Sequence, residues 1–160
     1  MQYAETVPDA RRSARLGFLL SQLGSYAGSM FAELTEPLGV SPSEAGVIRI
    51  IGRTPGISQR ELADRLGLVQ SRVVVLLDRL DEAGLSTRTR RDGDRRVQEV
   101  RLTDAGTALL GKLRSAAEEQ ERRLTEGLDA EARARLFALL SELVALRGLD
   151  ADVHRETPRE

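Results

Sequence analysis

The stretch from Ser58 to Leu85, SQRELADRLGLVQSRVVVLLDRLDEAGL, constrains the fold more tightly than any other part of the chain. Ser58 and Glu61 have the spacing of a capping box, in which the serine oxygen and the glutamate carboxylate satisfy each other's free backbone N–H groups. Leu62, Ala63 and Leu66 then form a short apolar stripe, and Gly67 ends it. Only a Gly-Leu-Val corner separates this helix from the next segment. The run VVVLL at 73 to 77 would by itself suit a buried strand. Taken more widely, Val69, Val73, Leu76, Leu77, Leu80 and Ala83 fall at helical spacing, with Asp78, Arg79, Asp81 and Glu82 on the exposed side. Gln70 or Ser71 lies where a cap would, and Gly84 sits at the stop. The segment is too long for a typical strand, and burial can override the roughly few tenths of a kcal/mol that each β-branched residue costs a helix. Two short helices joined by a tight Gly-containing corner predict a helix-turn-helix.

The flanking segments extend this frame. From Arg15 to about Leu34, Leu16, Leu19, Leu20, Leu23, Ala27, Met30, Phe31 and Leu34 recur in three- and four-residue steps, predicting an amphipathic helix closed by Pro37 and Gly39. In SPSEAGVIRIIG, Ser41 is placed as N-cap, Pro42 as first helical residue and Glu44 as the partner of the cap. After Gly84 the period changes. LSTRTRR and VQEVRL flank DGDRR, which reads as a β-hairpin with Arg90, Arg91, Arg95 and Arg96 around Asp92 and Asp94 at its tip. Two further helices are predicted, from Thr103 to about Glu126 and from Asp129 to about Arg147. Their apolar positions are Leu109, Leu110, Leu113, Ala116 and Ala117, then Leu136, Leu139, Leu140, Leu143 and Leu146. The expected fold is mainly α with a small β-hairpin wing, a winged helix-turn-helix over 41–103. Helices over 10–38 and 104–148 are left over and suggest a dimerisation domain, although packing within one chain could absorb part of their stripes. The tail at 149–160 is expected to fray.

Composition narrows the chemistry. The chain of 160 residues has no cysteine, which excludes disulfides, thiolate metal sites and thiol redox sensing. The one histidine, His154, lies in the tail, so no catalytic site, metal site or cofactor is expected; no pairing of nucleophile and base is in reach. There is no apolar run of the roughly 18 residues a membrane span requires. The opening MQYAETVPDARRSAR lacks the order of a signal peptide, so the expected location is cytoplasmic. The net charge of −1 conceals an asymmetry. Residues 49–101 carry 12 arginines against 8 acids, a local +4, and the rest carries 12 basic and 17 acidic groups, or −5. A basic segment on an acidic scaffold suits a polyanion, though a set of solvated helix faces would look the same.

With these elements in order, the sequence resembles the MarR-type winged-helix transcriptional regulators over roughly residues 15 to 145. The resemblance is carried by ISQRELADRLGL, RVVVLLDRLDEAGL and RRDGDRRVQEVRLTDAG. It implies an obligate homodimer in which the terminal helices form the dimer domain. Two winged helices meet successive major grooves of double-stranded DNA at a pseudo-palindromic site, and many members release DNA when a small phenolic or lipophilic effector binds.

Carried onto this chain, the resemblance makes the helix in VQSRVVVLLDRLDEAGL the recognition helix, with Gln70, Ser71 and Arg72 leading into the groove and Arg79 further along. Gln can pair with adenine and Arg can fork onto guanine; Arg72 is equally placed to hold a phosphate. Val74 and Val75 stand where relatives often have small polar or basic residues. They either touch thymine methyl groups or weaken DNA binding. In the wing, Arg96 matches the family's minor-groove arginine and Asp94 the acid that orients it, while Arg90, Arg91 and Arg95 are phosphate contacts or solvated charge. Ser58 and Gln59 could hold a phosphate at a helix N-terminus, and Ser58 is equally explained as a cap. Effector-pocket walls would be Tyr26, Met30, Phe31, Ile48 and Leu113, each also a natural core residue. A second reading is a winged-helix dimer that binds DNA weakly and serves as a protein-interaction module.

Overall fold

The computed structural model describes residues 15–91 and 94–149, without the side chains of 91–96. Helix α1 spans Leu16–Thr35 and ends in a single 3₁₀ turn, Glu36–Leu38, closed by Gly39 in the left-handed region. Helices α2 (Pro42–Arg53), α3 (Gln59–Leu66) and α4 (Gln70–Glu82) follow. Strands β2 (Ser86–Arg91) and β3 (Asp94–Leu102) form the wing, and α5 (Asp104–Leu124) and α6 (Ala130–Leu146) close the chain. A two-residue strand β1, Ile57–Ser58, precedes α3 and pairs with β3, giving an antiparallel sheet of order β1-β3-β2. This strand was not expected from the sequence, since two residues are too few to show an alternation.

The caps are built as the sequence requires. Ser41 Oγ accepts from the Glu44 N–H at 3.3 Å, and Glu44 Oε2 accepts from the Ser41 N–H at 2.7 Å. Ser58 and Glu61 make the same reciprocal pair at 3.2 and 2.9 Å. Each such cap contributes on the order of 1 kcal/mol. Helix α4 departs from expectation: neither Gln70 nor Ser71 caps it. Val69 is the N-cap, in extended conformation and without a side-chain bond. Because Val69 lies outside the helix, helical spacing does not apply to it, and its side chain is 70% exposed instead of starting the buried stripe. At the other end Ala83 is the C-cap and is also exposed. The buried stripe is Val73, Leu76, Leu77 and Leu80.

These four meet Val47, Ile48 and Ile51 of α2, Leu62 of α3, Ile57 and Val100 of the sheet, and Leu109, Leu110 and Leu113 of α5 in one core. Thr103 joins its layers. Its Oγ1 accepts from the Gly106 N–H at 3.0 Å, capping α5, and donates to the Gly84 carbonyl at 2.7 Å, at the exit of α4. Gly106 must be glycine for the same closeness, because a Cβ there would run into the Leu85 carbonyl oxygen. Asp129 caps α6 by accepting from the Ala132 N–H at 2.8 Å.

The outer helices are different. Helix α5 runs back along α1, where Gln120 Nε2 donates to the Ala27 carbonyl at 2.6 Å. Beyond that contact the apolar side of α1, with Leu16, Phe18, Leu19, Leu20 and Leu23, is exposed. Helix α6 buries no residue, leaving Leu136, Phe137, Leu139, Leu140 and Leu146 uncovered. Ala117, expected in the α5 stripe, is exposed as well, one position off the line of Leu109, Leu113 and Ala116. Among the described residues no helix is long and apolar enough to cross a membrane.

Candidate nucleic-acid interface

With Val73, Leu76, Leu77 and Leu80 turned inward, helical geometry puts the other side of α4 on the surface. Gln70, Ser71, Arg72, Val75 and Arg79 are exposed, and Val74 is half-buried. Five consecutive apolar residues cannot all face one core, and Val75, at 51% exposure, is the one left fully outside. Arg79 reaches sideways, its guanidinium 3.9 Å from Glu44 Oε1 at the start of α2. Ser58 is engaged in its capping box, its hydroxyl also donating to Glu61 Oε2 at 2.7 Å. Beside it Gln59 is half-buried, and its amide nitrogen is enclosed without a hydrogen-bond partner.

The wing rises from the C-terminal end of α4. Ser86 pairs with Leu102, Arg88 with Val100 and Arg90 with Gln98. The register shifts between Arg90 and Arg91, so that Arg91 stands opposite Asp94 at the tip. Arg90 is exposed. The side chains of Arg91, Asp94, Arg95 and Arg96 lie outside the described atoms, as do Asp92 and Gly93 altogether, so the expected Asp94–Arg96 pair is not seen.

Sequence reasoning missed what ties the wing to α4. Arg88 Nε donates to Asp81 Oδ2 at 2.7 Å and its terminal nitrogen donates to Asp78 Oδ1 at 2.7 Å, while the Ser86 hydroxyl donates to the other oxygen of Asp81. Burial pulls the Arg88 pKa down, but hydrogen bonds and charge from Asp78 and Asp81 together outweigh it and hold the guanidinium above its ordinary value. The signal was present in the sequence: acids one turn apart on a helix, then Ser and Arg on alternate strand positions.

The residues expected to wall an effector pocket separate into two groups. Tyr26 and Met30 line an open cleft of about 320 Å³ with Ser29, Glu33, Arg123 and Glu126. Ile48 and Leu113 are inside the main core and Phe31 packs against it. The apolar character of these three therefore serves packing, and the cleft joins Tyr26 and Met30 to polar residues of α1, the end of α5 and the turn after it.

A helix-turn-helix whose second helix keeps a polar and valine-bearing face outward, with an arginine-rich hairpin beside it, defines the winged-helix class. The family model described as MarR family matches residues 38–97. The chain is 30% identical over 132 residues to a protein of Thauera aromatica assigned as a transcriptional regulatory protein for the hcr operon, covering 82% of this chain and 80% of the relative. It is 27% identical over 131 residues to the homoprotocatechuate degradative operon repressor of Escherichia coli, covering 82% and 88%. Among solved structures, the transcriptional repressor CouR bound to a 23-mer DNA duplex superimposes with a TM-score of 0.75 at 30% identity, over 88% of this chain and 99% of that one. The chain belongs to the MarR family of transcriptional regulators.

Proposed function

We propose that the protein is a homodimeric, sequence-specific DNA-binding repressor acting in the cytoplasm on a pseudo-palindromic operator, released when a small phenolic or lipophilic ligand binds. In this reading residues 41–103 contact DNA, and the helices over 10–38 and 104–148 form the dimer. The observation that carries it is the outward face of α4, where Gln70, Ser71 and Arg72 lead an exposed helix flanked by a wing rich in arginine. An α-helix fits the major groove, and its N-terminal side chains meet base edges first. The likeness to CouR, at 30% identity and on DNA, supports the same use of this face.

Dimerisation is supported by the uncovered leucines of α1 and α6. A phenolic effector is supported by the relative that represses homoprotocatechuate degradation, with the cleft at Tyr26 and Met30 as the candidate entry. A module that binds DNA weakly and serves protein contacts is favoured by one observation, the exposed Val75 in the groove face.

Fluorescence anisotropy with DNA from upstream of the protein's own gene, against scrambled competitor at two salt concentrations, tests the choice. A regulator binds selectively, and its affinity falls as salt rises, with a log–log slope of about −0.9 per phosphate neutralised. Equal affinity for both DNAs with a shallow salt dependence would favour the interaction module.

A further inference from the structure

The wing and the recognition helix are connected in sequence only by Ala83, Gly84 and Leu85, with Gly84 at φ 69°. The base of this joint is stitched by backbone bonds, Leu85 N–H to the Leu80 carbonyl at 2.8 Å and Thr103 N–H to the Leu85 carbonyl at 3.1 Å. Those bonds hold the root of the hairpin, and β1 holds β3 through the pairs Ile57–Val100 and Ser58–Glu99; β2, the outer strand of the arm, is tied to α4 by side chains. Further along the arm, Ser86 and Arg88 occupy alternate positions of β2 and so share a face. Asp78 and Asp81, three residues apart on α4, also share one. The two faces meet, and Arg88 lies across both carboxylates with two bonds of 2.7 Å. Ser86 is almost fully buried, and the side chains of Arg88 and Asp81 are only 25% and 24% exposed.

A planar guanidinium that bridges two acids one helical turn apart fixes direction as well as distance, which a lysine at the same position would not. The contact also accounts for two carboxylates on a helix meant to approach phosphates. Left unpaired, Asp78 and Asp81 would repel the DNA backbone; across Arg88, half of that charge is compensated.

We propose that Arg88 is a positioning residue. It bolts the wing at a set angle to the recognition helix, so that the wing tip and the helix face engage DNA as one rigid unit. This rests on the functional reading above. Arg88 acts through Asp78 and Asp81 and does not itself touch DNA. A small rocking of β2 at this contact is amplified at the tip, where Arg91 and Asp94 close the hairpin.

The test uses the full chain and has an arm that needs no DNA. In hydrogen exchange of the free protein, Arg88→Ala should lose protection in residues 86–102 while α2 and the first half of α5 keep theirs. Arg88→Lys, which retains the charge and loses the fork, should resemble Arg88→Ala more than the unaltered protein. In DNA titrations Arg88→Ala should bind roughly tenfold more weakly or worse, with the slope of affinity against salt unchanged. A slope shallower by about 0.9, with wing protection intact, would make Arg88 a phosphate contact and overturn the proposal. A uniform loss of protection across the fold would make the cluster a general stabiliser and overturn it too. Should Arg88→Ala fail to fold, Asp78→Ala removes one prong and keeps the Asp81 pair; it should loosen the wing alone, to a smaller extent. If the unaltered protein shows no selective DNA binding, the functional reading falls while the exchange arm still decides whether the bolt exists.

Discussion

Leucines at helical spacing fill two parts of this molecule and meet opposite fates. In the winged helix, Leu62, Leu77 and Leu80 are at most 1% exposed, members of one core to which α2, α3, α4, α5 and the sheet all contribute. In the terminal helices, Leu139 and Leu146 are 59% and 70% exposed, and α6 has no buried residue at all. The same amphipathic signal thus produces a finished core in one region and an unfilled face in the other. Complete burial of a leucine contributes about 1.5–3 kcal/mol, so α1 and α6 carry stabilisation that a single chain does not realise. The winged helix has its stability within one copy. In the proposed dimer, the terminal helices gain theirs from a second copy.

The sharpest way to separate the two regions is to cut a leucine from each. Leu77→Ala leaves a void in the core that α4 shares with α2, α3, α5 and the sheet and should cost about 2–5 kcal/mol. Urea unfolding should show that loss to the same extent at every protein concentration. Leu139→Asp removes no buried group from the single chain, so it should leave a monomer's stability almost untouched. Its expected effect is on assembly: the unaltered protein should unfold at higher urea as its concentration is raised, and the variant should lose that dependence. Sedimentation should show the variant as a monomer. A variant that stays dimeric would place the interface elsewhere than on α6.

This contrast also marks how far the sequence could be read. The starts of α2, α3, α5 and α6 were legible, because Ser41, Ser58, Thr103 and Asp129 each announce themselves by a side-chain cap at fixed spacing from the first turn. The order of elements and the inward stripe of α4 followed from periodicity. Val69 was misread because an N-cap is not in the helix and escapes its period. Strand β1 exists only through its pairing with β3, which no local pattern encodes. At the candidate interface the outward position of Val75 was foreseeable from the length of the apolar run. The Arg88 contact was not found, since it depends on how a strand lies against a helix. Ile48 and Leu113 were offered as pocket walls because a core position and a ligand-facing position carry the same residue types, and only packing tells them apart.

Arginine–acid pairs repeat the comparison on a smaller scale. The Arg88 contact joins two elements and is partly buried. In α5, Glu119 bonds Arg122 and Arg123, at i+3 and i+4 on its own helix, with distances of 2.8 and 2.6 Å. Hydrogen bonds from Arg122 first, then Arg123, hold the Glu119 carboxyl down at about 2 from its ordinary 4.5. A depressed carboxylate pKa stabilises the fold above the unfolded value and loses that contribution as pH falls through the folded one. Glu119→Gln should therefore differ from the unaltered protein at pH 7, approach it steadily between about pH 4.5 and 2, and match it below. Because the group is open to water, screening keeps the difference the smallest predicted here, and raised salt should shrink it further. Paired thermal melts across that range measure it. A difference that persisted at low pH would mean that Glu119 contributes through packing along α5 and not through its charge.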